Sequence, residues 1–168
     1  MTQAPRAAPV EVYVAAGSNV EPLAKLRQAL TLLRESFAGL RASSAYRNAA
    51  VGFPGDPFVN LVVGFSTALP LDQVLARLHA IEAACGRARE APRFGPRSMD
   101  LDVLLYGDWV GRFSGATLPR PDLIRRAYML GPLANLAPSL RHPTLGRTIA
   151  ELWAAFDRTA HPLEPLSL

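Results

Sequence analysis

Two apolar runs limit the possible folds of this chain more than any other feature of its sequence. Residues 10–16 are rich in β-branched and aromatic side chains, and residues 58–68 alternate in polarity, so both runs predict β-strands. In the second run one face carries Val59, Leu61, Val63 and Phe65, and the other carries Phe58 and Asn60. Each strand is followed by apolar residues at helical spacing, which are Leu23, Leu26, Leu30, Leu33 and Phe37 in the first stretch and Leu71, Val74, Leu75, Leu78 and Ile81 in the second.

The remaining elements complete a recognisable order. We predict further strands at about 41–47 and 99–106, helices at 121–137 and 148–156, and a loop at 48–57. Strand, helix, strand therefore occurs twice in succession, which is typical of a ferredoxin-like α+β sandwich with a mainly antiparallel sheet. The 168 residues suffice for a single domain, with residues 1–9 and 158–168 as loose tails.

Composition excludes several classes of protein. With 49% hydrophobic and 19% charged residues, the chain has an ordinary globular composition. No apolar run is long enough to cross a bilayer, and the N-terminus lacks the apolar stretch of a signal peptide, so we expect a cytoplasmic protein. Cys85 is the only cysteine, which excludes an internal disulfide and a cysteine-based zinc cluster, and His79, His142 and His161 are scattered.

The basic residues are unevenly distributed. The net charge is +4, and Lys25 is the only lysine among the 18 basic residues. Eight of the arginines lie close together along the chain: Arg87, Arg89, Arg93, Arg97, Arg112, Arg120, Arg125 and Arg126. Arginine suits bidentate phosphate contacts, so a small molecule rich in phosphate explains the cluster as well as a polynucleotide does.

A pair of aspartates is the clearest chemical signal. Asp100 and Asp102 are two residues apart in an apolar strand, so their carboxylates project from one face. Divalent cations relieve the repulsion of such a pair, and Mg²⁺ typically uses one or two carboxylates together with substrate phosphates. A pair of solvent-facing residues is the alternative, but aspartate is depleted in strands, so we favour a metal site.

Phe58 and Asn60 share a strand face and combine an aromatic ring with an amide. Such a pair can recognise a flat heterocycle by stacking and by hydrogen bonds to its edge. Packing of these side chains beneath a helix is an equally good interpretation when the residues are considered alone.

Several segments together resemble the 6-hydroxymethyl-7,8-dihydropterin pyrophosphokinase family, whose members move a diphosphate from ATP to a pterin hydroxymethyl group. The matching segments, in order along residues 10–143, are VAAGSN (14–19), SSAYR (43–47), FVN (58–60), IEAACGRAR (81–89), RFGPRSMDLDVLLYG (93–107) and LPRPDLIRRAYMLGPL (118–133). The most specific part is GPRxxDLD preceded by IExxxGR.

The resemblance implies a role for individual residues on the phosphate side. It implies that Asp100 and Asp102 bind two Mg²⁺ ions and that catalysis uses these aspartates together with Arg87 and Arg97. The residues that it implies for ATP binding are His79, Glu82, Arg87, Arg97, Val103, Thr117, Arg120 and Arg126.

On the pterin side, the resemblance implies that Phe58 and Tyr128 sandwich the ring while Asn60 bonds its polar edge. Phe94 matches an aromatic residue on a loop that closes over the substrates and excludes water. The full implied pterin set is Gly17, Asn48, Val51, Phe58, Asn60, Phe94 and Tyr128. The implied partners are therefore small molecules, with no nucleic acid and no membrane, and we expect a monomer.

The sequence departs from the usual pattern of the family in four places, one of which is a three-residue segment. Arg120 stands where histidine is usual, and Asn48-Ala49-Ala50 replaces a Thr-Pro-Pro-like segment. Phe94 replaces the common tryptophan, and Gly115 replaces an arginine found in some members. Arg120 can still neutralise a phosphate, but unlike histidine it cannot exchange a proton.

Three other functions remain as alternatives to an active pyrophosphokinase. A catalytically weak or inactive paralogue that binds pterin or nucleotide is favoured by Arg120 and the Asn48-Ala49-Ala50 segment. A nucleotidyltransferase would combine Gly-Ser with Asp-x-Asp, but Ser18 and Asp100 are too far apart in sequence. An RNA-binding module would need exposed aromatic residues on basic strands, whereas the strand of the two aspartates is acidic.

Overall fold

The computed structural model describes residues 8–49, 56–86 and 98–168. The strands are β1 (Val10–Ser18), β2 (Arg41–Ala42), β3 (Ala45–Asn48), β4 (Phe58–Thr67), β5 (Asp100–Tyr106), β6 (Gly111–Phe113), β7 (Ala116–Leu118) and β8 (Glu164–Leu166). The helices are α1 (Pro22–Ser36), α2 (Leu71–Ala84), α3 (Ala127–Leu136) and α4 (Ile149–Ala154), with a 3₁₀ turn at Pro121–Ile124. Within this part of the chain, no helix has both the length and the apolar character needed to span a membrane.

The main sheet confirms the predicted ferredoxin-like α+β fold. Its order is β5-β1-β4-β3-β8, with β2 also paired to β4, and every pairing is antiparallel. The two long strands β1 and β4 are central, as their nearly continuous apolar sequences require. A separate hairpin of β6 and β7 follows β5.

The sheet separates two hydrophobic layers. Helices α1 and α2 cover one face, where Val59, Leu61, Val63 and Phe65 of β4 are buried, as their alternation predicts. The other face carries Tyr13, Ala15, Val62, Leu104 and Leu105, on which α3, the 3₁₀ turn and Ile149 of α4 pack. Gly17, Asn60 and Asp100 lie further along this second face, beyond the apolar contacts of α3.

A β-bulge in β5 shapes the edge of the sheet. Tyr13 pairs with Leu105 and Val14 pairs with Val103, so Leu104 is an additional residue in β5. Leu104 and Leu105 therefore both belong to the layer beneath α3. The carbonyl of Leu104 accepts a hydrogen bond from the backbone N–H of Arg120 at 2.9 Å, which ties the segment after β7 to β5.

Two predicted elements are each divided in the structure. The predicted strand at 41–47 is β2 and β3, because the backbone N–H of Ser43 and its hydroxyl both bond the backbone of Val62 and interrupt the regular pairing. The predicted helix at 121–137 is the 3₁₀ turn and α3, because Arg126 is extended (φ −117°, ψ 119°) and caps α3. The turn itself ends in bonds from the N–H groups of Arg125 and Arg126 to the Asp122 carbonyl.

The prediction of a loose tail at 158–168 is wrong, whereas residues 1–7 lie outside the described part of the chain. Glu164–Leu166 forms β8 against β3, and Leu166 and Leu168 pack on the layer of α1 and α2. Leu163 lies over Gly131 of α3, where an added Cβ would be 2.8 Å from the Leu163 Cδ1 atom. The C-terminal segment is thus held by backbone pairing and by apolar packing.

Candidate functional site

Three neighbouring strands place predicted site residues in one row. Gly17 of β1 pairs directly with Asn60 of β4 on one side and with Asp100 of β5 on the other. Directly paired residues share a sheet face, and adjacent strands are about 5 Å apart, so the backbones of Asn60 and Asp100 are separated by roughly 10 Å. The amide and the first carboxylate therefore face the same side across a glycine.

The two aspartates fit a divalent cation by the chemistry of their donors. Asp100 and Asp102 are partly buried, whereas Leu101 between them belongs to the core on the opposite face. Both carboxylates thus leave β5 on one side, as predicted. Two carboxylates are the usual protein share of a Mg²⁺ shell. No group of three or more His, Cys, Asp or Glu side chains comes together within residues 8–49, 56–86 and 98–168.

Glu82 fixes the strand that carries the aspartates. This residue of α2 is only 6% exposed, and its Oε2 accepts a hydrogen bond from the backbone N–H of Leu101 at 2.8 Å. A buried carboxylate bonded to a backbone N–H is a charge-assisted contact, stronger than a neutral one. The structure thus gives Glu82 a positioning role beneath Asp100 and Asp102.

Arg120 lies beside the aspartate pair. Its Nη1 is 3.6 Å from Asp102 Oδ1 and its Nη2 is 4.0 Å from Asp122 Oδ2. The Nε of Arg120 is buried and has no hydrogen-bond partner in the described part of the chain. The guanidinium is therefore held between two carboxylates by charge, while one of its donors is unused.

Tyr128, in the first turn of α3, interacts electrostatically with this charged cluster. Burial raises the pKa of its hydroxyl above the ordinary value, and the nearby Asp122 and Asp102 raise it further, against the opposite influence of Arg126 and Arg120. The hydroxyl consequently stays protonated at neutral pH and can donate a hydrogen bond. The charge of Asp102 therefore acts on the Tyr128 hydroxyl.

Close packing holds the Asn60 side chain in place. Asn60 is 6% exposed, and its Nδ2 donates a hydrogen bond to Asn48 Oδ1. A Cβ on Gly17 would collide with Asn60 Oδ1 and would lie 3.9 Å from Phe58 Cδ1. Glycine is required at this position because the Asn60 amide lies over it. Gly17, Asn48, Phe58 and Asn60 are thus brought together, as the implied pterin set requires.

A cavity of about 170 Å³ adjoins this side of the site. Asn48 and Tyr128 line it together with Arg126, and residues 160–163 of the C-terminal segment form another part of its wall. A larger cavity of about 590 Å³ shares His161, Pro162 and Leu163 with it and is also lined by Trp153. The segment predicted to be a tail therefore adjoins three of the implied substrate-binding residues, Asn48, Arg126 and Tyr128.

The other implied nucleotide contacts are more dispersed. His79 is exposed on α2, and Thr117 is exposed on β7 opposite Arg112. The Val103 side chain is buried in the core between the sheet and the first helical layer, so only its backbone can contact a ligand. Four predicted residues lie outside the described part of the chain: Val51, Arg87, Phe94 and Arg97.

Sequence reasoning missed two parts of this region. Asp122 was not singled out, although its position two residues after Arg120, across Pro121, places both side chains in one turn. The C-terminal segment was missed because Pro162 and Pro165 obscure the strand, although the spacing of Leu166 and Leu168 is that of one strand face.

Comparison with known proteins gives consistent matches. The family described as 7,8-dihydro-6-hydroxymethylpterin-pyrophosphokinase (HPPK) matches residues 13–138. A 2-amino-4-hydroxy-6-hydroxymethyldihydropteridine pyrophosphokinase of Pseudomonas aeruginosa is 41% identical over 152 residues, which cover 86% of this chain and 90% of the relative. A protein of the same description from Synechocystis sp. is 35% identical over 150 residues, covering 88% of this chain and 76% of the relative.

Solved structures agree on the fold. The wild-type HPPK-DHPS of Plasmodium falciparum with pteroate has a TM-score of 0.68 at 13% identity, covering 87% of this chain and 44% of that one. An HPPK-DHPS in complex with substrates has a TM-score of 0.67 at 12% identity. The match covers 91% of this chain and 44% of that protein. The chain thus spans less than half of these longer proteins.

Proposed function

Because the chain belongs to the 7,8-dihydro-6-hydroxymethylpterin-pyrophosphokinase family, we propose that it transfers a diphosphoryl group from ATP to 6-hydroxymethyl-7,8-dihydropterin in folate biosynthesis. The products are AMP and the pterin diphosphate. The observation that supports this function best is the row of Asn60, Gly17 and Asp100, which sets an amide for a heterocycle and a carboxylate for a cation on one face.

The proposed step is an in-line displacement at the β-phosphorus of ATP. The hydroxymethyl oxygen forms a bond to that phosphorus while the bond to the oxygen that bridges the α-phosphorus breaks. The electron pair of the broken bond leaves with AMP, and the hydroxyl proton passes to solvent. Catalysis of this kind depends on alignment of the reactants and on stabilisation of the transferring charge.

Asp100 and Asp102 are the proposed ligands of two Mg²⁺ ions. When bound, these ions would offset the negative charge of the ATP oxygens and of the group in transfer. Glu82 supports this half of the site by holding the Leu101 backbone between the two aspartates at 2.8 Å.

Arg120 and Arg126 are the described residues that we assign to the ATP phosphates. Both adjoin the aspartates or Tyr128, and a guanidinium is suited to bidentate phosphate contacts. Arg87 and Arg97 complete the proposed phosphate contacts, Phe94 is the proposed closing residue, and Val51 is a proposed pterin contact. His79, Thr117 and the Val103 backbone remain the proposed contacts of the nucleoside.

Phe58 and Tyr128 are the proposed stacking partners of the pterin. Aromatic faces offset from one another attract by dispersion and by their quadrupoles. Asn60 supplies the edge contact, with its orientation supported by Asn48 and by the close approach to Gly17. The same amide that discriminates the heterocycle is thus fixed by packing rather than left to rotate.

AMP release from Mg-ATP tests the function, measured with and without 6-hydroxymethyl-7,8-dihydropterin and with Asp102→Ala as the blank. Pterin-dependent AMP that is absent from the blank is the expected result. ADP in place of AMP would mean transfer of a single phosphoryl group and would overturn the reaction class. Pterin binding without nucleotide turnover would instead identify a non-catalytic binding protein.

The proposal includes a monomer in the cytoplasm. A free thiol is compatible with a reducing compartment, and Cys85 is fully buried, where burial raises the pKa of its thiol. Light scattering coupled to size exclusion should give the mass of one 18.1 kDa chain. A mass of two chains at micromolar concentration would contradict the assembly state without affecting the reaction class.

A further inference from the structure

The guanidinium of Arg120 lies close to the position that a cation bound to Asp102 would occupy. Nη1 is 3.6 Å from Asp102 Oδ1. Because Mg²⁺–oxygen bonds are about 2.1 Å long, an ion on that oxygen would be no farther than about 6 Å from Nη1. Two positive groups at such a separation repel each other, even near the protein surface.

Arg120 interacts with its neighbours by charge, and the hydrogen-bonding capacity of its guanidinium is only partly used. The distances to Asp102 and Asp122 of 3.6 and 4.0 Å exceed those of good charge-assisted hydrogen bonds, and Nε is buried without a partner. The backbone of Arg120 is nevertheless anchored by its bond to Leu104. The side chain can therefore exchange its partners while the residue stays in place. Polyphosphate oxygens can accept the bidentate bonds that these two long contacts do not provide.

We propose that Arg120 is a resident counter-cation of Asp102, which weakens divalent-cation binding in the nucleotide-free protein and moves to the phosphates when nucleotide binds. The inference rests on the proposed function in taking a nucleoside triphosphate as the ligand and Asp102 as a divalent-cation ligand. Movement of the guanidinium away from Asp102 takes one positive charge away from the proposed cation ligand. Nucleotide and divalent cation therefore bind cooperatively, and by linkage each raises the affinity of the protein for the other.

Mn²⁺ titration of the nucleotide-free protein tests the first part, with free Mn²⁺ followed by electron paramagnetic resonance at pH 8. Arg120→Gln should raise the affinity for Mn²⁺ by about tenfold, since it removes a unit positive charge close to the ion. Arg120→Lys, which keeps the charge, should stay near the wild-type affinity. Arg125→Gln is the matched control, because Arg125 is exposed in the same turn and has no ion pair in the described part of the chain.

Equal Mn²⁺ affinity in Arg120→Gln and the wild type would overturn the proposal. An equal rise in Arg125→Gln would also overturn it, because the effect would then reflect net charge rather than the Asp102 contact. If Arg120→Gln does not fold, as judged by circular dichroism, Arg120→Met provides the same comparison, since methionine is also uncharged and is a poor ligand for Mn²⁺.

The second part is tested by the same titration with an α,β-methylene analogue of ATP present. The analogue should raise the Mn²⁺ affinity of the wild type more than that of Arg120→Gln, because only the wild type has a guanidinium to displace. An equal rise in both proteins would overturn the displacement. The assay uses neither pterin nor turnover, so absence of AMP release in the wild type would refute the proposed function separately.

Discussion

The two halves of the candidate site are held in place by different forces. The heterocycle half, which we define as Gly17, Asn48, Phe58 and Asn60, is fixed by close packing, with Asn60 6% exposed and no space for a Cβ on Gly17. The phosphate half, which we define as Asp100, Asp102, Arg120 and Asp122, contains the ion pairs of Arg120 with Asp102 and Asp122, whose side chains are 35–39% exposed.

This difference predicts how each half responds to a ligand. Packed neighbours leave the Asn60 amide one orientation, so this amide is oriented before a ligand binds. Partly exposed ion pairs are weak and easily exchanged, so the phosphate half can rearrange when charges arrive. Substitutions in the heterocycle half should therefore change ligand binding by altering packing. Substitutions in the phosphate half should change ligand binding by altering charge.

Asp100→Ala should have the largest effect on turnover. Loss of one of the two proposed cation ligands should lower kcat by at least about a thousandfold, comparable to removal of other charge-stabilising groups. The variant should remain folded, because the Asp100 side chain belongs to neither apolar layer. The measurements are AMP release and a thermal melt, with Asp108→Ala as the control because Asp108 is exposed just after β5. Activity near the wild-type level would refute the assignment of the carboxylate pair.

Gly17→Ala should have the next largest effect, on pterin affinity. The new methyl group would displace the Asn60 amide, so we expect at least about a tenfold weaker binding of the pterin and a loss of about 1–3 kcal/mol in the free energy of unfolding. Isothermal titration with the pterin and chemical denaturation measure the two quantities.

A double-mutant cycle isolates the cause of that effect. In an Asn60→Ala background the amide is absent, so addition of Gly17→Ala should change pterin affinity little. If Gly17→Ala weakens binding equally in both backgrounds, its effect does not pass through Asn60, and the packing explanation for the heterocycle half fails.

Leu163→Ala tests whether the C-terminal segment supports the heterocycle half. Leu163 is partly buried over Gly131 and lines the cavity that Asn48 and Tyr128 share. We expect the KM for the pterin to rise a few-fold, while the KM for ATP stays constant, and stability to fall by about 1–2 kcal/mol, less than for a fully buried leucine. Steady-state kinetics with each substrate varied in turn measure the effect.

Ser167→Ala is the matched control for the C-terminal segment, because Ser167 is exposed just beyond β8. It should leave both KM values unchanged. An equal increase of both KM values in Leu163→Ala would mean that the substitution disturbs the sheet generally rather than the heterocycle half.

Sequence alone predicted the parts of the fold that periodicity determines. Alternation in β4 assigned Val59, Leu61, Val63 and Phe65 to one layer, and the two-residue spacing of Asp100 and Asp102 assigned both to one side of β5. Helical spacing likewise identified the buried faces of α1 and α2. These features follow from the two-residue period of a strand and the 3.6-residue period of a helix, which can be recognised within a short stretch of sequence.

Features that depend on contacts distant in sequence were not predicted. Pairing of β8 with β3 joins Glu164 to Arg47, and no local pattern reports such a contact. The break before α3 depends on the extended backbone of Arg126, which propensity does not reveal. The contact of Arg120 with Asp102 was likewise missed, because it follows from the β5 bulge and the bond to Leu104.

A pH dependence of stability should be the smallest of these effects and should lie outside both halves. His142 is 4% exposed between α3 and α4, its Nδ1 accepts hydrogen bonds from the N–H groups of Thr144 and Leu145, and burial lowers its pKa. The unfolded chain therefore binds a proton more readily than the folded one below about pH 6.5. The stabilisation is complete above that pH and is lost as the pH falls through the folded-state pKa. Thermal melts between pH 8 and 5 should show a steeper fall in Tm for the wild type than for His142→Asn, whereas parallel curves would mean that His142 does not contribute.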